Sequence, residues 1–425
     1  MPPRTKSLRR RVLLASIVGA TAVGRVGHAE TVTLTFLNSQ PDHTFDAAIA
    51  EFQTANPGIV IQPQQVPYAQ LNAQIQARLG SKDPSLDVFA VDEPRVPTYA
   101  ARGYLADLSA YRDATLAAAG PGALRATTWN GKLWTFPLWT TTQFLYYNVE
   151  LLKKAGLQPP SADPAKRMTW ERLLDQARKA QTAGAKWGFA FDQPDRYYEF
   201  QPLYESVGAG PGLTGPDMLT PAITSPAWVK VTEWFRDIYA SGLAPRGIPY
   251  EQMADLFASG QIAYMVGGPW QAAVIVRAHL PFGLAPEPYF ANGKPVTPTD
   301  SWALGISPYS QHRDAAVKFT SFLTLDAHGS QLAASKVPQI PANLAAAQAY
   351  LKVQSASGGE WTAAFADLVT YELAHTAVSR PRSKGYVQFE EIMNKMYSDI
   401  RNGAEVAPAL KRADAQLRAV FARIE

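Results

Sequence analysis

The chain has 425 residues, 47% of them apolar and 18% charged, which is enough to bury a core in two domains and excludes global disorder. Cysteine is absent, so disulfides, thiolate metal sites, a cysteine nucleophile and a lipid-anchored cysteine are excluded. The formal charge of +4 arises in residues 1–29, which carry six Lys and Arg and no acid; the remainder holds 34 bases against 36 acids, a net charge of −2 that gives no basic surface for nucleic acid or anionic lipid.

The first 29 residues have the pattern of an export signal. Arg4, Lys6, Arg9, Arg10 and Arg11 precede the apolar run Val12 to Val23, and Gly27-His28-Ala29 forms a small-x-small cleavage site before Glu30. That apolar run is too short for a membrane span, which needs about 20 residues to cross ~30 Å. Arg9-Arg10-Arg11-Val12-Leu13 also fits a twin-arginine signal, so both export routes stay open. No later segment is long and apolar enough to span. The expectation is a soluble protein in the periplasm, cleaved near Ala29.

The mature chain opens with an alternating strand, Thr31 to Leu37. Phe45, Ala48, Ile49 and Phe52 then share one helical face, with Thr44 as the expected N-cap and Asn56-Pro57-Gly58 as the stop. A second strand starts at Ile59, and a second helix, Tyr68 to Leu79, places Leu71, Ile75 and Leu79 on one face. Asp87 to Val91 reads as a buried strand ending in Asp92-Glu93-Pro94. This β-α-β-α-β order predicts a parallel sheet covered on both faces.

Residues 129–147 are aromatic-rich and nearly uncharged, and read as two strands joined without a helix. Helices are expected from Thr169, from Ser225-Pro226 and over Tyr250 to Phe257. The strand Ile262 to Val266 follows, and Gly267-Gly268-Pro269-Trp270 opens another helix. Residues 281–300 hold five prolines and read as a connection. Helices over Ala315 to Leu323, around Phe389 to Tyr397 and over Ala407 to Ile424 complete the chain.

The chemistry in these residues favours binding over catalysis. The histidines are isolated, with no HExxH pattern. Tyr146-Tyr147 and Tyr197-Tyr198 are weak ferric-iron candidates, better explained by packing. Gly208 to Gly212 lacks the phosphate-loop lysine, and no GxSxG elbow occurs. Asp92 and Glu93 are adjacent on a strand and point to opposite faces, so they cannot form a glycosidase dyad. A carboxylate at a strand's carboxyl end can instead accept hydrogen bonds from vicinal hydroxyls, and aromatic planes can cover the apolar face of a pyranose.

Five segments together resemble the extracellular solute-binding proteins of ABC sugar importers, in the family that includes maltose and trehalose binders. They are the strand, Asn38-Ser39-Gln40 and a helix ending in Asn-Pro-Gly; Asp87 to Asp92; Phe144 to Asn148 with Leu151 to Gly156 and Met168 to Glu171; Gly260 to Trp270; and Arg380-Pro381 before the closing helices. The resemblance implies an α/β, two-lobed periplasmic-binding-protein fold with a hinge and a central ligand cleft. It divides the chain into residues 30–141 plus 287–340 in one lobe and 142–286 plus 341–425 in the other. It implies Asp92 as a hydroxyl acceptor, Trp270 as a stacking aromatic, Trp302 as a second sugar contact and Arg380 as a contact from the far lobe. Tyr198, Glu199, Asn38 and Gln40 are the remaining cleft candidates. Family members often carry an acid where this chain has Thr140-Thr141-Thr142, so a strict maltose or trehalose assignment does not follow. The partners implied are a small sugar and membrane permease subunits, with a monomeric protein, no nucleic acid, no cofactor and no catalytic residue. Two other readings stay open. One is a secreted carbohydrate-active enzyme pairing Asp92 with Glu199. The other is a binder of a different solute, including an anion anchored by Arg380 or Arg382.

Overall fold

The computed structural model describes residue 1, residues 31–356 and residues 360–424. The export signal, apart from Met1, lies outside the described residues. Two separate sheets organise the rest. The first has five strands in the order Ile59–Gln65, Val32–Asn38, Val88–Asp92, Trp302–Ile306 and Thr135–Pro137. The first three are parallel, as their helical crossovers require. Trp302–Ile306 runs antiparallel to both of its neighbours, so the sheet is mixed and not parallel throughout. The reason is the connection: this strand returns from the second sheet and enters from the opposite end.

The second sheet has the order Phe282–Pro286, Phe144–Asn148, Ile262–Gly267 and Trp187–Phe191. The proline-rich stretch 281–300 is therefore not connection alone, because its first part forms an edge strand. An edge position tolerates Pro286, whose missing N–H would otherwise break a ladder. Each sheet has its own core. Phe36, Phe52, Leu304 and Phe319 pack on the first, and Trp170, Phe191, Phe200, Trp228 and Phe235 on the second. The closing helices Tyr386–Arg401 and Val406–Phe421 bury Phe389, Tyr397, Leu410 and Leu417 in that second core.

Several local expectations need correction. Helix Asp46–Ala55 is not capped by Thr44, whose hydroxyl donates instead to the carbonyl of Pro41 (2.7 Å). Residues 129–147 do not form two strands but fall into several short pieces. The first is the hairpin of Thr128–Trp129 and Lys132–Leu133, turned by Asn130 and Gly131 at φ of 49° and 76°. Thr135–Pro137, Trp139–Thr140 and Phe144–Asn148 follow, split where Pro137 and the threonine run interrupt pairing. Thr169 and Ser225 do cap their helices, accepting from the N–H groups of Arg172 and Trp228. The segments between the sheets pair with each other, Ile340 opposite Thr140 and Pro341 opposite Trp139.

Candidate functional site

The carboxyl ends of the parallel strands in both sheets face one cavity of about 420 Å³. Ligands of open α/β sheets occupy such positions, and the volume suits a small-molecule pocket of ~300–1,000 Å³. Gln40 and Ser39 enter from the loop after Val32–Asn38, and Asp92 from the end of Val88–Asp92. Trp302 lies directly opposite Asp92 in the antiparallel ladder, so both side chains share a face. Glu93 locks this corner: its N–H donates to the carbonyl of Ser301, and its carboxylate accepts the Ser301 N–H, each at 3.0 Å. Burial, then the nearby Asp300, pushes the Glu93 carboxyl up to about 8.

From the second sheet, Tyr198 comes from helix Tyr197–Ser206 and Trp270 from the turn after Ile262–Gly267. The indole of Trp270 folds back over Gly268, where a Cβ would lie 2.1 Å from the ring. Only glycine permits that approach. The indole N–H donates to Asp192 (2.7 Å), so Trp270 offers the cavity a face and no donor.

Arg380 lines the same cavity and clasps Asp92 with two parallel hydrogen bonds, 2.9 Å and 2.6 Å. Its guanidinium lies 4.8 Å from the ring of Tyr198, and the Arg380 backbone N–H donates to Asp300 (2.7 Å). Burial works against the charge, but Asp92 and Asp300 hold the Arg380 guanidinium above its ordinary range. Arg95 makes a parallel link to Glu390 on helix Tyr386–Arg401 (2.7 Å).

Six of the eight residues singled out from sequence therefore line one cavity: Gln40, Asp92, Tyr198, Trp270, Trp302 and Arg380. Asn38 and Glu199 are not among the lining residues. The Asn38 amide accepts the Gln40 N–H (3.0 Å) and shapes the loop. Glu199 is fully buried and accepts from Gln143 (2.5 Å). Burial, then Asp192, raises its carboxyl well above the usual range. Sequence reasoning missed Tyr68 and Tyr250, whose rings meet at 6.2 Å across the cavity. Each follows a proline at a helix start, in Val66-Pro67-Tyr68 and Ile248-Pro249-Tyr250, and that repeated signature was the available signal. The Ser39 and Tyr198 hydroxyls, the Gln339 amide oxygen and the Arg380 Nε are buried without a hydrogen-bond partner, all on lining residues.

The alternative chemistries find less support here. Asp92 is held by Arg380, and Glu199 is buried away from the lining, so the two do not face each other as a catalytic pair. Arg382 donates to the carbonyls of Ala126 and Thr128 and is not among the residues lining the cavity. The Tyr146 and Tyr197 hydroxyls donate to the carbonyls of Gly268 and Pro211. Among the described residues no group of three or more His, Asp or Glu is arranged to hold a metal ion, and no helix is long and apolar enough to cross a membrane.

Two sheets with separate cores, closing on one aromatic cavity, define a two-lobed solute-binding protein. Residues 38–329 match the family described as bacterial extracellular solute-binding protein, and the chain belongs to that family. Its members are exported binding proteins. The chain is similar to the maltodextrin-binding protein MdxE of Bacillus subtilis, 26% identical over 61% of each chain. It is also similar to a probable ABC transporter-binding protein of Deinococcus radiodurans, 25% identical over 96% of this chain and 99% of that one. The match to the first thus spans less than two thirds of that protein, and the match to the second nearly all. The fold is that of the ABC substrate-binding protein Lmo0181 of Listeria monocytogenes, solved in complex with cycloalternan. The TM-score is 0.80 at 22% identity, covering 92% of this chain and all of that one.

Proposed function

We propose that the protein is the solute-binding subunit of an ABC import system, capturing a neutral mono- to oligosaccharide between its lobes and delivering it to membrane permease subunits. The observation that carries this reading is the cavity itself. Tyr68, Tyr198, Tyr250, Trp270 and Trp302 supply ring faces for a sugar, while buried polar atoms without partners supply its hydroxyls. A neutral cargo is favoured because Asp92, Glu251, Asp255 and Asp300 line the cavity against Arg380 as its cation. Arg380 is already committed to Asp92.

In this reading the lobes are residues 30–141 plus 287–340 and residues 142–286 plus 341–425, as sheet membership and the paired crossings at Thr140 and Ile340 support. The sugar favours closure because only the closed form brings both lobes against it. Closure excludes water, so each hydroxyl left without a partner costs about 1–3 kcal/mol, which gives specificity. No covalent step occurs. The mature protein is a periplasmic monomer, cleaved near Ala29.

A thermal-shift panel of neutral sugars, polyols and charged glycosides on residues 30–425 tests this. A sugar at about 100 times its Kd stabilises by ~2.7 kcal/mol. Asp92→Ala should abolish the shift, and the sugar should be recovered intact. Responses confined to anionic ligands, or turnover of the sugar, would overturn the proposal.

A further inference from the structure

Behind the cavity wall lies a carboxylate that no lining role accounts for. Asp192 follows strand Trp187–Phe191 and is 0% exposed. Its two oxygens are divided between two neighbouring side chains of the opposite turn. One oxygen accepts the Trp270 indole N–H at 2.7 Å, and the other accepts from the Gln271 amide. Both donors line the cavity. The backbone clamps the acid in turn: the Asp192 N–H donates to the carbonyl of Val266 (2.8 Å), and a Cβ on Gly267 would press to 2.9 Å from the Asp192 Cβ. The acid, the glycine pair and the two donors thus form one rigid unit with a single ionisable centre.

We propose that Asp192 is the positioning residue of the binding site, and that its ionised form is what holds Trp270 and Gln271 in place for the sugar. The inference rests on the sugar-binding reading of the cavity. An ionised carboxylate has acceptor capacity on both oxygens. Protonation turns one oxygen into a donor: facing the indole, which can only donate, it releases Trp270, and facing Gln271 it forces that amide to turn its own oxygen toward the acid, so either way the arrangement presented to the cavity changes.

The surroundings place that protonation within reach. The titratable groups near Asp192 are Glu199 on helix Tyr197–Ser206, Tyr146 on strand Phe144–Asn148 and Tyr250 on helix Tyr250–Ala258. None is a cation. Burial pushes the Asp192 carboxyl up to about 7, against the two hydrogen bonds that pull it down. Affinity for the sugar therefore falls as pH drops through that range.

The test has an arm that needs no ligand. In the ligand-free protein, tryptophan emission is followed from pH 5 to 9 in the wild type, Trp270→Phe and Asp192→Asn. The expected result is a step near neutrality in the wild type that both variants lose. The second arm titrates the best sugar from the panel across the same range. Wild-type affinity should fall about tenfold or more on the acid side, with Asp192→Asn weak and flat across pH. Should Asp192→Asn fail to fold, Trp270→Phe against wild type still decides the emission step. A wild-type pH profile surviving in Asp192→Asn, or no step attributable to Trp270, would overturn the assignment. An emission step lost in both variants, with no sugar bound by the wild type, would instead overturn the sugar reading and leave the Asp192–Trp270 coupling standing.

Discussion

Arg380 carries more of the site than its single charge implies. It neutralises Asp92 through two bonds, braces Asp300 through its backbone and lies on Tyr198. Removing it strands Asp92 in a buried place. Arg380→Ala should cost ~3–5 kcal/mol in urea unfolding, and Arg380→Lys, which keeps the charge but loses the fork, should cost less. Gly268 sets a different limit. Gly268→Ala would drive a methyl group into the Trp270 ring and expel it from its seat on Asp192. The expected outcome is a cooperatively folded protein, with sugar affinity lowered about tenfold or more in calorimetric titration. Trp270 was legible in sequence only through the family resemblance of its Gly-Gly-Pro-Trp segment, and the role of Gly268 beneath its ring was not read. Asp192 was not legible, since nothing in Phe191-Asp192-Gln193 states that an indole N–H 78 residues later will point at it.

Elements were readable wherever a local rule decided them. The caps at Thr169 and Ser225 and the helical face of Leu71, Ile75 and Leu79 needed only their own neighbours. Strand direction was not local. Trp302–Ile306 was not read as a strand, and only its route back from the second sheet makes it antiparallel. The Tyr68–Tyr250 contact joins two helix starts from different sheets, a relation that periodicity cannot express. Because the rings meet across the cavity, their effects on binding should be coupled. Tyr68→Ala and Tyr250→Ala, alone and together, should show a double-mutant coupling of about 0.5–1.5 kcal/mol in sugar binding. Strict additivity would mean that the contact contributes nothing to closure.

At the scale of the molecule, the buried acids set an unusual response to pH. Burial raises the carboxyls of Glu93, Asp192, Glu199 and Glu287, with Glu93 at about 8 and Asp192 at about 7. A group whose folded value is raised contributes stability at pH below its unfolded value and loses it as pH rises through the folded value. Half-buried Asp83 and Asp107 act oppositely. Hydrogen bonds from Ser85 and Ser109 hold them at about 2, so their contribution is lost only in strong acid. Thermal denaturation should therefore show Tm rising from pH 8 to a maximum at roughly pH 5. Sugar affinity should move the other way over part of that range, which separates the two effects in one set of melts.

The order of the strands also governs when this chain can fold. In the first sheet, Trp302–Ile306 sits between Val88–Asp92 and Thr135–Pro137, so that sheet stays divided until more than 300 residues exist. The second core is completed by Tyr386–Arg401 and Val406–Phe421, at the far end of the chain. Neither half can finish early and wait for the other. A nascent chain emerging from the ribosome thus stays loose until synthesis is nearly done, and remains threadable for most of the time in which a narrow translocation channel could take it.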